Sequence, residues 1–163
     1  SIGMLAITAF YEQVLQTSFE QLDVDACCAA WPEPEIADKT ALDMFVGTDF
    51  PNIGLQETKA KYVNREQLKV QLLQLKENWP KIKERLSGQL IPYSEVKQKL
   101  QLAGAPTEPE EIGITRKRLR ETFIRAQFIR RRFTVLDLAV RTGYMEDWLE
   151  GLFSKGKIWE ITD

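Results

Sequence analysis

The 163-residue sequence contains no histidine. Histidine is the usual general base at neutral pH and the commonest metal ligand, so this chain alone holds no Ser-His-Asp or Cys-His site. The glycines are scattered and form neither GxGxxG nor GxxxxGK[ST], the patterns that cradle phosphates, and CxxC and HExxH are missing too. We therefore predict no catalytic, cofactor-binding or metal-ligating residue within the chain itself.

Cysteine is scarce, and its placement bears on the cellular compartment. The two cysteines, Cys27 and Cys28, are neighbours, and a disulfide normally needs a larger Cα separation than one peptide unit. We expect both to be free thiols on a buried face, as in a reducing, cytoplasmic setting. The apolar stretches are only a few residues long, and the N-terminal segment lacks the basic leader of a signal peptide. We therefore expect a cytoplasmic protein without membrane association.

Apolar residues recur mainly at spacings of three and four, the period of an amphipathic helix. The clearest stripe is Leu68, Leu72, Leu75, Trp79, Ile82 and Leu86. Pro80 interrupts this stripe and predicts a kink or a restart, because proline has no N–H and its ring clashes with the preceding turn. The basic helix after Thr115 should bury Leu119, Phe123, Ala126 and Ile129. The four tryptophans are expected to be core anchors.

Strand-like sequence is restricted to Tyr62–Val63 and Ile158–Ile161, and residues 47–54 read as a loop. We predict an all-α fold, an irregular multi-helix bundle of about seven to nine helices with no substantial sheet. Residues 1–163 are expected to form a single helical domain. Residues 157–163 are expected to form a loose or extended tail.

Helix-start residues punctuate the chain at intervals. Asp23, Asn64 and Thr115 each precede a periodic segment and are suited to accept hydrogen bonds from the first turn. Two further segments have capping-box spacing, namely Thr107 with Glu110 and Thr134 with Asp137. We assign the acidic pairs Glu33/Glu35 and Glu110/Glu111 to helix N-termini, where they complement the helix dipole.

Charge is distributed unevenly although the net charge is only −2. Residues 1–58 contain ten acidic residues and one basic residue, whereas residues 116–132 contain eight basic residues and one acidic residue. One interpretation is charge complementarity, with the basic helix packed on the acidic part within the chain or across a homo-oligomer. The other is an anion site, in which arginines of residues 116–132 hold a phosphate.

Residues 134–157 resemble the helix-turn-helix of arabinose-regulator-type transcription factors. The matching positions are Leu138-Ala139, the Gly143 turn and Leu152-Phe153. The second helix carries Glu146, Asp147 and Glu150 and no basic residue before Lys155, and these carboxylates would repel a DNA backbone. The alternative function is an independent interaction or DNA-binding module. Because of these carboxylates, nucleic acid is not the expected partner.

A more specific resemblance lies at residues 103–114, AGAPTEPEEIGI. This run resembles the "AGAPxxPEEIGI" of the sn-glycerol-1-phosphate dehydrogenases, within the iron-containing alcohol dehydrogenase and dehydroquinate synthase-like superfamily. The family continues with a basic helix and "R-x-RYTVLDL", which here is residues 130–138, with Phe133 in place of Tyr. Residues 2–12 look like the first helix after the metal ligands in that family, and Trp79-Pro80 falls where the family has a similar pair.

The resemblance implies an intact two-domain enzyme of phospholipid metabolism. That enzyme interconverts glycerol 1-phosphate and dihydroxyacetone phosphate with NAD(P) and a divalent metal held by one Asp and two His. It also implies that the metal ligands and the N-terminal nucleotide-binding domain precede Ser1. No catalytic, cofactor-binding or metal residue transfers to this sequence. We therefore expect a C-terminal helical part that is inactive alone, with the N-terminal domain as its partner. It would be a fragment, a proteolytic product or a degenerate, separately encoded domain; a first methionine at position 4 agrees with a fragment or a processed chain.

Overall fold

A computed structural model describes residues 1–162 and shows a helical protein. The α-helices are α1 (Ile2–Gln16), α2 (Val24–Ala30), α3 (Pro34–Asp43), α4 (Ile53–Lys61), α5 (Arg65–Gln89), α6 (Tyr93–Leu102), α7 (Arg116–Phe128), α8 (Val135–Thr142) and α9 (Met145–Phe153). Short 3₁₀ helices occupy Phe19–Gln21 and Pro109–Ile112. Across residues 1–162 there is no strand. The all-α prediction is confirmed, and the strand-like reading of Tyr62–Val63 and Ile158–Ile161 is wrong.

The chain divides into two compact units. The terminal unit comprises residues 1–20, 77–121 and those from 146 onward, and the middle unit comprises residues 21–76 and 122–145. Helices α5 and α7 each contribute residues to both units. The two units differ in how their interiors are built, so each is described separately.

Aromatic side chains form the core of the terminal unit. Phe19 lies edge-on to Trp79, with ring centroids 4.6 Å apart, and Phe10 lies edge-on to Trp148 at 5.4 Å. The Nε1–H groups of Trp79 and Trp148 donate to the backbone oxygen and the hydroxyl of Thr17. These large rings are therefore buried with their polar atoms paired. The prediction that the tryptophans are core anchors is confirmed for Trp79, Trp148 and Trp159, whereas Trp31 is only half-buried.

The segment after α9 folds back instead of forming a loose tail. Trp159 is 1% exposed and packs beside Phe153 and Tyr93. The amides of Trp159 and Ile161 donate to the backbone oxygens of Leu152 and Phe153. The predicted tail is therefore wrong for these residues, because burying an indole outweighs the weak helical and strand propensity of the segment. Asp163 lies outside the described residues.

Helix α5 runs through Pro80 without restarting. Pro80 is exposed, and the helix continues for nine more residues to Gln89. Leu68, Leu72 and Trp79 are buried as predicted, but Ile82 is 36% exposed. The expected restart at Pro80 is therefore wrong.

The sequence does not predict helix α4. Residues 47–54 have the composition of a loop, but α4 already begins at Ile53, and only residues 44–52 between α3 and α4 are not helical. Helix α4 packs against α3, and Gly54 permits the close approach. A Cβ atom at Gly54 would lie 2.6 Å from the backbone oxygen of Ala41, a distance that real Cβ atoms do not show. Pro51 and Asn52 immediately precede the helix, and their turn character concealed its start.

Most predicted caps are present. Asp23 accepts from the Ala26 amide, Asn64 from the Gln67 amide and Thr115 from the Arg118 amide. Thr134 and Asp137 form the expected capping box. The predicted Thr107–Glu110 box is wrong by one residue, because Glu108 and Glu111 form it.

Two expectations about burial are corrected. Ile129 is 41% exposed, because α7 ends at Phe128 and does not orient the Ile129 side chain toward the core. Ala126 is half-buried. Cys27 and Cys28 are free thiols, as expected, but they are half-exposed and not on a buried face. Cys27 donates to the backbone oxygen of Thr142, and burial raises the pKa of its thiol, with Cys28 and Asp23 adding to the effect.

Candidate functional site

The middle unit contains a cavity of about 190 Å³. Most of its wall is apolar, contributed chiefly by Trp31, Pro32, Ile124, Phe128, Val140 and Met145. Its polar groups include Thr58, Lys61, Asp137 and Arg141. Thr58, Asp137 and Arg141 are buried, whereas Thr40 and Val140 are exposed and mark the mouth. A mostly apolar pocket with a few convergent polar groups is the usual form of a small-molecule site.

A buried ion pair forms one side of the cavity. The Lys61 ammonium lies 2.6 Å from Asp137 Oδ1, and the two side chains are 7% and 2% exposed. Lys61 also donates to the backbone oxygen of Gln127, and the Gln127 amide donates to Asp137 Oδ1 at 3.0 Å. Asp137 Oδ2 accepts from the amide and the hydroxyl of Thr134. Both charges are therefore compensated, as buried ions require.

Arg141 brings a second positive charge to the cavity wall. Its guanidinium donates to the backbone oxygen of Lys61 at 2.8 Å and to Gln71 Oε1, and it lies 4.9 Å from the centre of the Phe133 ring. Within the described residues it has no carboxylate in ion-pair range. Burial lowers the pKa of Arg141 from its ordinary value, and Asp137 acts in the opposite direction. Lys61, Asp137 and Arg141 together leave one positive charge in excess.

Thr58 adds an unpaired hydroxyl. The residue is 8% exposed, and its Oγ1 atom has no hydrogen-bond partner. Leaving a buried hydroxyl unpaired costs about 1–3 kcal/mol. Thr40, on the same wall, differs because its hydroxyl donates to the backbone oxygen of Ile36.

The aromatic part of the wall is held by hydrogen bonds to the backbone. The Trp31 Nε1–H donates to the oxygen of Val63 at 2.7 Å, and the Tyr62 hydroxyl donates to the oxygen of Pro32 at 2.9 Å. The two rings stack with centroids 6.1 Å apart. Burial raises the pKa of Tyr62, as does the charge of Glu33, so the phenol remains a donor at neutral pH. These contacts fix the positions of the two rings in the cavity wall.

The basic segment 116–132 largely finds partners outside the acidic N-terminal part. Arg116 pairs with Glu110 at 3.0 Å, and Arg120 pairs with Glu146 at 2.6 Å. Arg131 does reach Glu57, at 3.2 Å. Since Glu57 is the one partner from residues 1–58 among the described ion pairs of this segment, complementarity with the acidic part within the chain is seen there alone, and packing across a homo-oligomer stays a prediction. Arg125, Arg130 and Arg132 have no carboxylate partner in the part of the chain described.

The sequence identified none of the cavity residues as a site. Asp137 was predicted only as a helix cap, and its contact with Lys61 joins distant parts of the chain. No motif marks Lys61, Arg141 or Thr58, and only the unusual burial of charged groups, visible in the fold, draws attention to them.

The structure offers no ligand set for the divalent metal that the resemblance implies. Among residues 1–162, no three His, Cys, Asp or Glu side chains are grouped so as to hold a metal ion. We therefore derive no chemical step through a metal in this chain. In the same residues, no helix combines the length and apolarity needed to cross a bilayer.

Comparison with known proteins identifies no relative. No protein-family model, curated protein or solved structure matches the chain.

Proposed function

We propose that this chain is the C-terminal helical part of a glycerol-1-phosphate dehydrogenase-like enzyme. The intact enzyme would interconvert glycerol 1-phosphate and dihydroxyacetone phosphate, using NAD(P) and a divalent metal bound by residues outside this chain. The observation that carries the proposal is the pair of runs 103–114 and 130–138, which resemble that family's motifs and flank a basic helix as they do there. The remaining helices would form the wall that closes the active-site cleft.

The structural roles of the matched residues support the proposal. Gly104 and Gly113 have φ values of +67° and +76°, a conformation that favours glycine. The matched Glu111 accepts from the backbone amides of Thr107 and Glu108, and Thr134 and Asp137 form a capping box. The residues that carry the resemblance thus determine turns and helix starts, which sets the path of the chain around α7.

The test is to express the gene product that contains the coding sequence upstream of Ser1. We expect that sequence to encode a His-Gly segment and a nucleotide-binding domain. The longer protein should oxidise NADH or NADPH in the presence of dihydroxyacetone phosphate, lose activity with a chelator and regain it with a divalent metal. The 163-residue chain assayed in parallel should give no turnover. Turnover by this chain alone, or an upstream sequence without a nucleotide-binding domain, would overturn the proposal.

In the longer enzyme, the arginines without carboxylate partners are the candidates for the substrate phosphate. Arg125, Arg130 and Arg132 keep their donors available, and an arginine can bind phosphate through two parallel hydrogen bonds. Replacing the phosphate-binding arginine with Met should raise KM for dihydroxyacetone phosphate and leave KM for the nucleotide unchanged. Arg118→Met, at an arginine 3.9 Å from Glu121, is the matched control.

The alternative, a DNA-binding module in residues 134–157, has one favourable observation. Helices α8 and α9 are separated by Gly143 in the left-handed conformation. Against it, Glu146 and Glu150 remain on α9, where they contact Arg120, and α9 contains no basic residue. Salt-sensitive affinity for duplex DNA would support this function, and absence of binding at ~50 mM salt would exclude it.

A further inference from the structure

We infer that the cavity of the middle unit is a binding site for a small carboxylate with an apolar, ring-sized body. This inference is independent of the proposed enzyme function, because it uses only residues of this chain and no nucleotide or metal. It rests on the size of the cavity, the excess positive charge on its wall and the donors that have no protein acceptor.

Size sets the scale of the ligand. A cavity of about 150 Å³ holds one benzene ring in a protein core, and the cavity here measures about 190 Å³. A benzoate-sized molecule therefore matches the available space, whereas a nucleotide exceeds it. Trp31 and Phe128 on the wall offer ring surfaces for such a body.

The excess positive charge on the cavity wall favours an anionic ligand. Asp137 is already neutralised by Lys61 and its oxygens accept from Lys61, Gln127 and Thr134, so it needs no further cation. Arg141 has no carboxylate partner among the described residues, and two of its contacts are with neutral oxygens. A buried cation without a counter-ion is costly, and a bound carboxylate would compensate it.

Unused donors point to the same chemistry. A guanidinium has five N–H donors, and the structure pairs the Nη1 and Nη2 atoms of Arg141 but not Nε. The Thr58 hydroxyl is also without a partner and belongs to the same wall. A carboxylate presents two oxygens with about four acceptor positions, so it can serve Arg141 and Thr58 together.

The test is an isothermal titration of the 163-residue chain with benzoate, with benzamide and benzylammonium as a neutral and a cationic ligand of similar shape. Benzoate should bind saturably, benzamide more weakly, and benzylammonium not at all. Amide NMR shifts should map benzoate to residues around Thr58, Tyr62 and Arg141. Equal affinity for benzoate and benzamide, or no saturable binding of benzoate, overturns the inference.

Four variants separate the contributions of the charge, the hydroxyl and the space in the cavity. Arg141→Met should weaken benzoate binding at least about tenfold, the size of a lost hydrogen bond to a charged group, and leave benzamide binding unchanged. Thr58→Val should weaken it about threefold, whereas Thr40→Val, whose hydroxyl already has an acceptor, should not. If Arg141→Met fails to fold, Ala37→Phe tests the same site, because a ring placed in the cavity should abolish binding of both ligands. Undiminished benzoate binding by a folded Ala37→Phe protein overturns the assignment.

Discussion

Both units bury apolar side chains, but five of the six buried polar or charged residues of the described chain lie in the middle unit. The terminal unit is filled by interlocking aromatic rings, with Trp79 and Phe10 almost inaccessible to solvent. The middle unit buries an ion pair, Lys61 with Asp137, together with Arg141 and a cavity. Apolar cores tolerate substitutions that conserve volume, whereas removing one partner of a buried ion pair leaves an uncompensated charge at high cost. The aromatic core stabilises the terminal unit, whereas the buried charges of the middle unit line the cavity that we propose as a ligand site.

The largest effect is expected in the aromatic core. Trp79→Ala removes a side chain that is 1% exposed and leaves a void against Phe19. The free energy of unfolding should fall by about 3–5 kcal/mol, the usual cost of truncating a buried aromatic residue to alanine. Urea unfolding followed by circular dichroism measures it. Leu102→Ala, at a residue 83% exposed, is the control and should change stability by less than about 0.5 kcal/mol.

A slightly smaller effect is expected from breaking the buried ion pair. Lys61→Met leaves Asp137 charged and buried with only its neutral donors, at a cost of about 3 kcal/mol. Lys59→Met is the matched control, because in the Lys59–Asp38 pair, at 3.2 Å, the two side chains are 59% and 30% exposed, and surface pairs contribute about 0–1 kcal/mol. If the two variants lose the same free energy of unfolding in urea, burial of the Lys61–Asp137 pair makes no difference to its contribution, and this expectation is wrong.

Removing a helix cap should destabilise the two units to different extents, by smaller amounts than the changes above. Thr134→Ala in the middle unit and Thr115→Ala in the terminal unit each remove a cap, worth about 1 kcal/mol. The loss should be larger for Thr134, because its hydroxyl also donates to Asp137 at 2.9 Å, whereas the Thr115 hydroxyl contacts only the Arg118 amide among the described residues. Thermal unfolding of both variants checks the order, and a smaller loss for Thr134 would contradict it.

The smallest effect concerns pH. The amides of Glu108 and Thr107 hold the pKa of Glu111 below its ordinary value of 4.5. Because the folded-state pKa is depressed, the stability from this carboxylate is present above the unfolded-state value and is lost as pH falls through the folded-state value. When the pH is lowered below about 4.5, the Tm of the native protein should therefore decrease more than the Tm of Glu111→Gln. Parallel Tm–pH curves for the two proteins would contradict this.

The sequence predicts much of the fold because helix periodicity and caps are local. The caps at Asp23, Asn64, Thr115 and Thr134 required only residues within one turn. Helix α4 was missed because its boundary depends on packing against α3 at Gly54, which no local pattern records. Tyr62 and Val63 resemble strand sequence because Tyr and Val have high β-propensity, but in the structure Tyr62 only takes an extended conformation as the residue that ends α4.

The candidate site could not be predicted from the sequence either, because its contacts join residues that are far apart in the chain. The contact of Lys61 with Gln127 spans 66 residues, and that of Arg141 with Lys61 spans 80. Each residue taken alone is typical of a helix surface, and only the tertiary fold buries them together. The family resemblance gave no guidance here, because it implies active-site residues that lie outside this chain.

A double-mutant cycle on Lys61 and Asp137 tests the central contrast most directly. It uses Lys61→Met, Asp137→Leu and the double variant, with the free energy of unfolding measured for all four proteins. The account predicts that the double variant is more stable than the sum of the single losses implies, with a coupling energy of at least about 2 kcal/mol, because each single change strands a buried charge. A coupling energy near zero would show that the middle unit does not depend on its buried ion pair and would contradict the account.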